Sequence, residues 1–269
     1  MKINAKMSLM DAFKTRLPHL ECHFTWALRE EEFNLYDLGN RLEEQIKLES
    51  GEARVTRAYS SLAFVCYLHG NLHAALTHLH KSEELAKEYY AEDSEKFLTV
   101  TYGNFAWLYY HMGNFTLAEN YLSQVERINM KFSNKSSNEV HREVLREKAW
   151  AFHKFSRKYY NGARECFRQA LEIAPEDSDL NAGYAIVLYQ TTKDASGSQD
   201  SQTVVQLRRA IDLNPKDAVL LLFLTLKLIC TNKSSTSHKS EIHDPSKQSK
   251  AVILMMRALE MSPENPHVM

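Results

Sequence analysis

Glycine and proline are scarce in this sequence, with 8 and 6 residues respectively in a chain of 269. An all-β protein needs many tight turns and would use more of both residues. The low content therefore argues against an all-β fold and favours helices. Hydrophobic residues make up 44% of the chain, which is enough apolar material for a folded core.

Cysteine is also rare. The 4 cysteines are scattered and no two form a CxxC pair, so neither a zinc knuckle nor a redox pair is predicted. Single cysteines in helical stretches are typical of small buried residues in a protein of a reducing compartment. The sequence lacks a run of about eighteen apolar residues, and its N-terminus lacks the apolar stretch of a secretory signal. We therefore expect a cytoplasmic protein without a membrane span.

Motifs for catalysis and metal binding are missing as well. The sequence has no glycine-rich phosphate loop, no nucleophile elbow and no HExxH metal motif. His69 and His73 lie four residues apart, but no cysteine or carboxylate completes a zinc ligand set at a suitable spacing. We expect no enzymatic activity, no metal and no cofactor.

What the sequence does contain is repetition. A tetratricopeptide repeat consists of two antiparallel helices in about 34 residues, with small side chains where the helices cross. Pro175, Pro215 and Pro263 are placed to end the second helix of the later repeats. Small residues recur at corresponding positions in successive copies: Ala63, Gly70 and Ala75; Ala106, Gly113 and Ala118; Ala151, Ala163 and Ala170; Ala185 and Ala210. The pattern predicts an all-α tetratricopeptide-repeat superhelix, or α-solenoid.

The repeats follow an N-terminal helical pair, predicted over residues 8–28 and 35–48 from apolar residues at helical spacing. Two Ser-rich stretches, Thr191–Gln202 and Thr231–Ser249, are predicted as polar loops within the fourth and fifth repeats. The array stops soon after Pro263, which indicates a fragment, an end covered by a partner or a naturally short form. The predicted segments are 1–52 (N-terminal helices), 53–130 (two repeats), 139–215 (two further repeats) and 216–269 (a fifth, incomplete repeat).

Positive charge is concentrated in one stretch. The net charge is −1, so a nucleic-acid site would have to come from local segregation of charge. Arg142–Pro175 holds eight basic residues against four acidic ones, with aromatic residues between them. Cations for phosphates and flat rings for bases are the requirements of single-stranded nucleic-acid binding. The alternative interpretation is a solvated helix face whose charges pair with each other.

Two short stretches resemble a known family. The sequence reads ECHFTWAL at 21–28 and YGNFAWLYYHM at 102–112, and these look like signatures of the interferon-induced proteins with tetratricopeptide repeats. The resemblance extends from about Leu17 to Pro263. It implies a cytosolic antiviral effector without enzymatic activity. Several family members bind the 5′ end of single-stranded RNA, a triphosphate or an unmethylated cap, in a basic tunnel, whereas others act through protein partners.

The resemblance also implies roles for individual residues. Arg41 and Gln45 match a polar pair that faces the RNA end, and Tyr160 matches a tyrosine that lines the tunnel. Trp150 matches a tryptophan that stacks on the cap guanine, and Lys154 matches a lysine that contacts the terminal phosphates. The alternatives from the residues alone are that Trp150 is a core residue and Lys154 a solvated surface lysine.

The resemblance is incomplete at Tyr189-Gln190. RNA-binding members have an arginine after this tyrosine, and a glutamine cannot replace its guanidinium. The chain also stops before the repeats that form the other wall of the tunnel. We therefore expect an RNA-end binder that sequesters single-stranded RNA but holds a triphosphate less tightly. The alternative is a protein–protein adaptor that forms a homo- or hetero-oligomer with related repeat proteins.

Overall fold

The computed structural model of the protein describes residues 12–48, 52–133, 137–192 and 201–235. The regular structure in these ranges is helical and contains no strand, which confirms the predicted all-α tetratricopeptide class. The chain divides into two compact units, Met1–Tyr159 and Tyr160–Met269. Among the described residues, no helix is both long and apolar enough to cross a membrane.

The N-terminal unit is built from antiparallel helix pairs. Helices α3 and α4 pack as one pair and α5 and α6 as the next, while α2 packs on α3, and α7 packs on α5 and α6. The helices are α1 (12–16), α2 (Leu35–Leu48), α3 (Glu52–Leu68), α4 (Leu72–Tyr90), α5 (Glu95–His111), α6 (Phe115–Ser133) and α7 (Ser137–Phe155). Short 3₁₀ turns cover Leu17–His19, Glu30–Glu32, Ala91–Asp93 and Arg157–Tyr159.

The prediction of one helix over residues 8–28 is wrong beyond His19, and residues 1–11 lie outside the described part. Pro18 sits in the 3₁₀ turn Leu17–His19, after which the chain leaves the helix in a series of turns. The Thr25 hydroxyl donates to the Leu20 carbonyl at 2.6 Å and accepts from the Cys22 amide at 3.2 Å. These side-chain hydrogen bonds replace the backbone hydrogen bonds of a helix. The apolar residues at helical spacing in this segment are therefore buried although the segment is not a helix.

The alanines among the predicted small positions are buried, whereas Gly70 and Gly113 lie in the turns that join paired helices and have a positive φ. Ala75, Ala106 and Ala118 are fully inaccessible, and Phe105 and Leu122 fill the space beside them. A small side chain lets two helix axes approach closely, while large neighbours restore packing density. The repeat pattern in the sequence is therefore confirmed as the packing pattern of the unit.

The C-terminal unit consists of α8 (Tyr160–Ile173), α9 (Ser178–Thr191), α10 (Gln202–Leu213) and α11 (Ala218–Ser235) among its described residues. Asp177 and Ser201 cap α9 and α10, accepting hydrogen bonds from the Leu180 and Val204 amides. Helix α9 packs between α8 and α10, and α10 packs on α11.

Helix α11 continues through 231–235, where a loop was predicted to begin at Thr231. The polar residues there include no glycine or proline, so nothing in their backbone requirements ends the helix. The remainder of both Ser-rich stretches, 193–200 and 236–249, lies outside the described residues. The predicted close of the fifth repeat, through Pro263, lies outside them too.

Candidate functional site

The turns at 20–28 are seated against α5 at a glycine. A Cβ atom added to Gly103 would lie 2.9 Å from the Cβ of Cys22, closer than side chains tolerate. Glycine therefore allows the N-terminal segment to approach the α5 backbone. Cys22 is fully buried by this contact, and burial raises the pKa of its thiol to about 12.

His23 is the centre of a buried polar network. Its backbone amide donates to Asn104 Oδ1 at 3.1 Å, and Asn104 Nδ2 lies 3.0 Å from His23 Nδ1. Asn104 Nδ2 also donates to Ser60 Oγ at 3.2 Å, and His23 Nε2 lies 3.3 Å from Ser61 Oγ. Because an amide N–H must donate, Nδ1 accepts and the imidazole proton resides on Nε2. Burial lowers the pKa of His23 to about 3, so the ring stays neutral.

Trp26 ties the same segment to α7. Its indole Nε1 donates to Glu21 Oε2 at 2.9 Å, and the same oxygen pairs with Lys148 Nζ at 3.2 Å. Lys148 Nζ also lies 5.8 Å from the centroid of the Trp26 ring. The conspicuous ECHFTW sequence thus fastens the N-terminal segment to α5 and α7.

Trp150 and Lys154 share one face near the C-terminal end of α7. Both are half-buried, so Trp150 is neither an enclosed core residue nor a fully exposed one. The Trp150 ring meets His153 edge-on, with centroids 5.8 Å apart and planes at 82°. The positive charge of Lys154 lowers the pKa of both His23 and Glu147, which places its ammonium near the buried network.

Arg41 and Gln45 share a face of α2, since they are four residues apart. Arg41 is exposed and Gln45 is half-buried, while Leu38 and Leu42 turn toward the core. The Asn34 side chain accepts from the amides at the start of this helix, at 3.0 and 3.2 Å. The structure therefore holds this polar pair and the Trp150–Lys154 pair on two helices of the same unit.

Tyr160 and Gln190 belong to the C-terminal unit. Tyr160 is the first residue of α8 and is half-buried, and Gln190 is exposed in the last turn of α9. Its neighbour Tyr189 stacks on Phe223 of α11, with ring centroids 4.5 Å apart and planes at 6°. Position 190 is thus solvent-accessible in this unit.

Most of the basic residues in Arg142–Pro175 are paired. At least five of the eight lie in ion pairs, so the stretch is not the continuous positive surface that its composition indicates. The pairs are Arg142 and Arg146 with Glu143, Lys148 with Glu21, Lys158 with Glu32, and Arg168 with Glu165 and Glu172. Two of the carboxylates come from the N-terminal segment, far away in sequence. The alternative interpretation, a helix face with paired charges, is correct for these five residues.

Sequence reasoning missed the residues beneath this face. Asn104 and Glu147 are buried polar residues inside apolar helix faces. Buried polar groups are usually hydrogen-bonded, so each of them indicates a partner elsewhere in the chain. Asn104 lies within the quoted YGNFAWLYYHM stretch, and that stretch could have indicated a polar partner for His23. Within the described ranges, no group of three or more His, Cys, Asp or Glu could hold a metal ion.

Comparisons with known proteins agree with this architecture. Two tetratricopeptide repeat family models match residues 54–131 and 155–177. The human protein IFIT1 homolog B is 40% identical over 215 residues, which is 79% of this chain and 45% of that protein. Mouse interferon-induced protein with tetratricopeptide repeats 3 is 34% identical over 219 residues, covering 81% of this chain and 53% of that protein. This chain is a homologue of the interferon-induced proteins with tetratricopeptide repeats.

Solved IFIT1 structures have the same fold. The human IFIT1 dimer with PPP-AAAA aligns with a TM-score of 0.69 and 31% identity, over 93% of this chain and 55% of that one. An IFIT1 monomeric mutant with Gppp-AAAA aligns with a TM-score of 0.72 and 30% identity, over 96% of this chain and 61% of that one. The chain therefore spans about half the length of the curated IFIT relatives that it matches.

Proposed function

We propose that this chain binds the 5′ end of single-stranded RNA, a triphosphate or a cap, and sequesters it without breaking a bond. The observation that carries the proposal is the likeness to IFIT1 structures holding PPP-AAAA, Gppp-AAAA and m7Gppp-AAAA. That likeness extends over more than nine-tenths of this chain at 30–31% identity. The chain would act as a cytoplasmic, interferon-induced antiviral effector with no catalytic step.

Trp150 and Lys154 supply the two kinds of contact that an RNA end needs. A lysine ammonium attracts terminal phosphates, and its half-buried position weakens solvent screening of that attraction. An indole ring offers a flat surface on which a cap guanine or the first base stacks. Because the two residues are four apart on α7, both contacts would fall on the same side of the helix.

The other predicted residues have smaller parts in this proposal. Arg41 and Gln45 would donate hydrogen bonds to the RNA end from α2 of the N-terminal unit. Tyr160, the first residue of α8, would contact RNA as part of the C-terminal unit. Gln190 would hydrogen-bond to a phosphate without neutralising its charge. Binding of a triphosphate would therefore rely on Lys154 more than on an arginine.

A titration tests the proposal. The purified chain is titrated with 5′-triphosphate, capped and 5′-hydroxyl single-stranded RNA of one sequence, at two salt concentrations. We expect the triphosphate or the capped RNA to bind more tightly than the 5′-hydroxyl RNA, with an advantage that shrinks at high salt. Equal, weak binding to all three RNAs would contradict recognition of the 5′ end.

A second candidate function is assembly with copies of itself or with related repeat proteins. The observation that favours it is that human IFIT1 was solved as a dimer in complexes with PPP-AAAA and m7Gppp-AAAA. Analytical ultracentrifugation of this chain, alone and with a longer relative, distinguishes the two candidates. A chain that stays monomeric in both samples and binds RNA ends would leave RNA binding as the function.

A further inference from the structure

A small polar cavity lies beneath α7 in the N-terminal unit. Its volume is about 20 Å³, which is room for a water molecule or two. Side chains from α3, α4, α5 and α7 line it, among them Arg57, Glu143, Arg146 and Glu147. Three of these residues, Arg57, Glu143 and Glu147, are buried. Charged residues are rarely buried, so a cavity lined by three of them is an unusual feature of a helical repeat.

Glu147 is the least satisfied of these groups. Its side chain is buried, and its Oε1 atom has no hydrogen-bond partner within the described part of the chain. The Ser60 hydroxyl hydrogen-bonds to the same carboxyl group. Ser60 in turn accepts from Asn104, which holds His23, so Glu147 is joined to the buried network described above. A buried carboxylate oxygen without a donor is costly, whereas the protonated carboxyl can itself donate.

The same residue lies beside the candidate RNA-end site. Glu147, Trp150 and Lys154 follow one another at spacings of three and four, so they share a face of α7. Burial raises the pKa of Glu147 to about 7, while the Ser60 hydrogen bond and the charges of Arg57 and Lys154 oppose that rise. His23 stays neutral above about pH 3, so Glu147 is the member of the network that titrates near neutrality.

We propose that Glu147 is a positioning residue of the RNA-end site, whose carboxyl takes up a proton from solvent when a phosphate binds at Lys154. The inference rests on the proposed function. A phosphate brought to Lys154 adds negative charge near the carboxylate and disfavours its ionised form. Once neutral, Glu147 no longer competes with the phosphate for the lysine ammonium, and its hydroxyl can donate into the cavity.

The other charged groups that line the cavity with Glu147 do not provide another explanation for proton uptake near neutrality. Arginine and lysine stay protonated there, and tyrosine stays neutral. Glu143 forms ion pairs with Arg142 and Arg146. The titratable and charged groups that line the cavity with Glu147 or act on its charge are Arg57 of α3, Tyr90 of α4, Lys96 of α5, and Glu143, Arg146 and Lys154 of α7.

The test compares pH profiles of RNA binding. Affinity of the whole chain for capped and 5′-triphosphate RNA is measured between pH 6 and pH 8 for the wild type, Glu147→Gln and the exposed control Glu88→Gln. If the pKa of Glu147 rises from about 7 to about 8 on binding, wild-type affinity falls roughly fivefold over this range through Glu147 alone. The glutamine imitates the protonated carboxyl, so the ratio of wild-type to Glu147→Gln affinity should fall by the same factor. Glu88→Gln should follow the wild type.

Protonation of the RNA itself cancels in these ratios, because every protein receives the same RNA. Parallel profiles for the wild type and Glu147→Gln would overturn the inference and leave RNA binding intact. Failure of every protein to bind either RNA at any pH would instead overturn the proposed function, and the inference with it.

A measurement on the wild type alone guards against a variant that fails to fold. Calorimetric titration at pH 8 in two buffers of different ionisation enthalpy counts the protons that accompany RNA binding. The terminal phosphate is already ionised at this pH, so net uptake has to come from the protein. The same rise in pKa predicts uptake of about 0.4 proton per RNA bound. Uptake below about 0.1 proton would overturn the inference.

Discussion

His23 and Asn104 exchange two hydrogen bonds across 81 residues of sequence. The His23 backbone amide donates to Asn104 Oδ1, and Asn104 Nδ2 donates to His23 Nδ1. The side-chain amide of Asn104 therefore binds the backbone and the ring of His23 at the same time. Both residues are almost completely inaccessible to solvent. This exchange holds the N-terminal segment on α5, next to the helix that carries Trp150 and Lys154.

Replacing Asn104 by alanine should strongly destabilise the chain. Asn104→Ala leaves His23 N and His23 Nδ1 without their partner, and buried unsatisfied groups cost about 1–3 kcal/mol each. We expect the free energy of unfolding in urea to fall by roughly 2–4 kcal/mol. The exposed Asn120→Ala on α6 is the matched control and should change it by less than about 0.5 kcal/mol. Equal effects of the two substitutions would show that the exchange contributes little.

Two glycines should respond to the same substitution in opposite directions. A Cβ at Gly103 would lie 2.9 Å from Cys22 Cβ, whereas one at Gly39 would meet only Val65 Cγ1 at 3.8 Å. Gly103→Ala should therefore cost roughly 1–3 kcal/mol by overpacking. Gly39→Ala should gain up to about 1 kcal/mol, because alanine favours the helix more than glycine does. Thermal unfolding of both variants tests the pair, and a rise in Tm for Gly103→Ala would contradict the close approach.

The repeats could be predicted because their packing rule repeats along the sequence. Each copy needs a small residue at each crossing, so Ala63, Ala106 and Ala151 mark the array without any knowledge of contacts. The charge of Arg142–Pro175 could not be predicted in the same way. Lys148 pairs with the carboxylate of Glu21, 127 residues away in sequence. The spacing of apolar and small residues along the chain gives no information about such a distant partner. The half-burial of Trp150 could not be predicted from periodicity either, because helical spacing alone does not give the exposed fraction of a side chain.

Removal of the Lys154 charge should weaken RNA-end binding, unlike removal of a nearby lysine charge. Lys154→Ala should reduce the affinity for 5′-triphosphate RNA about tenfold, the usual value of a hydrogen bond to a charged group. It should also flatten the dependence of log affinity on log salt by about one, because one phosphate contact is lost. Lys158→Ala, which removes an exposed lysine paired with Glu32 at 3.8 Å, should leave both quantities close to the wild type. A salt slope unchanged by Lys154→Ala would remove this lysine from the site.

An arginine introduced at position 190 should strengthen binding of a triphosphate. Gln190 is exposed near the C-terminal end of α9, so a longer, charged side chain fits there without repacking the core. An arginine offers a bidentate, charge-assisted contact to phosphate, and we expect Gln190→Arg to raise the affinity for 5′-triphosphate RNA roughly tenfold. Gln202→Arg is the matched control, because it adds the same charge at an exposed position of the C-terminal unit. If both variants gain equally, the effect is a general attraction for RNA, and position 190 does not contact the 5′ end.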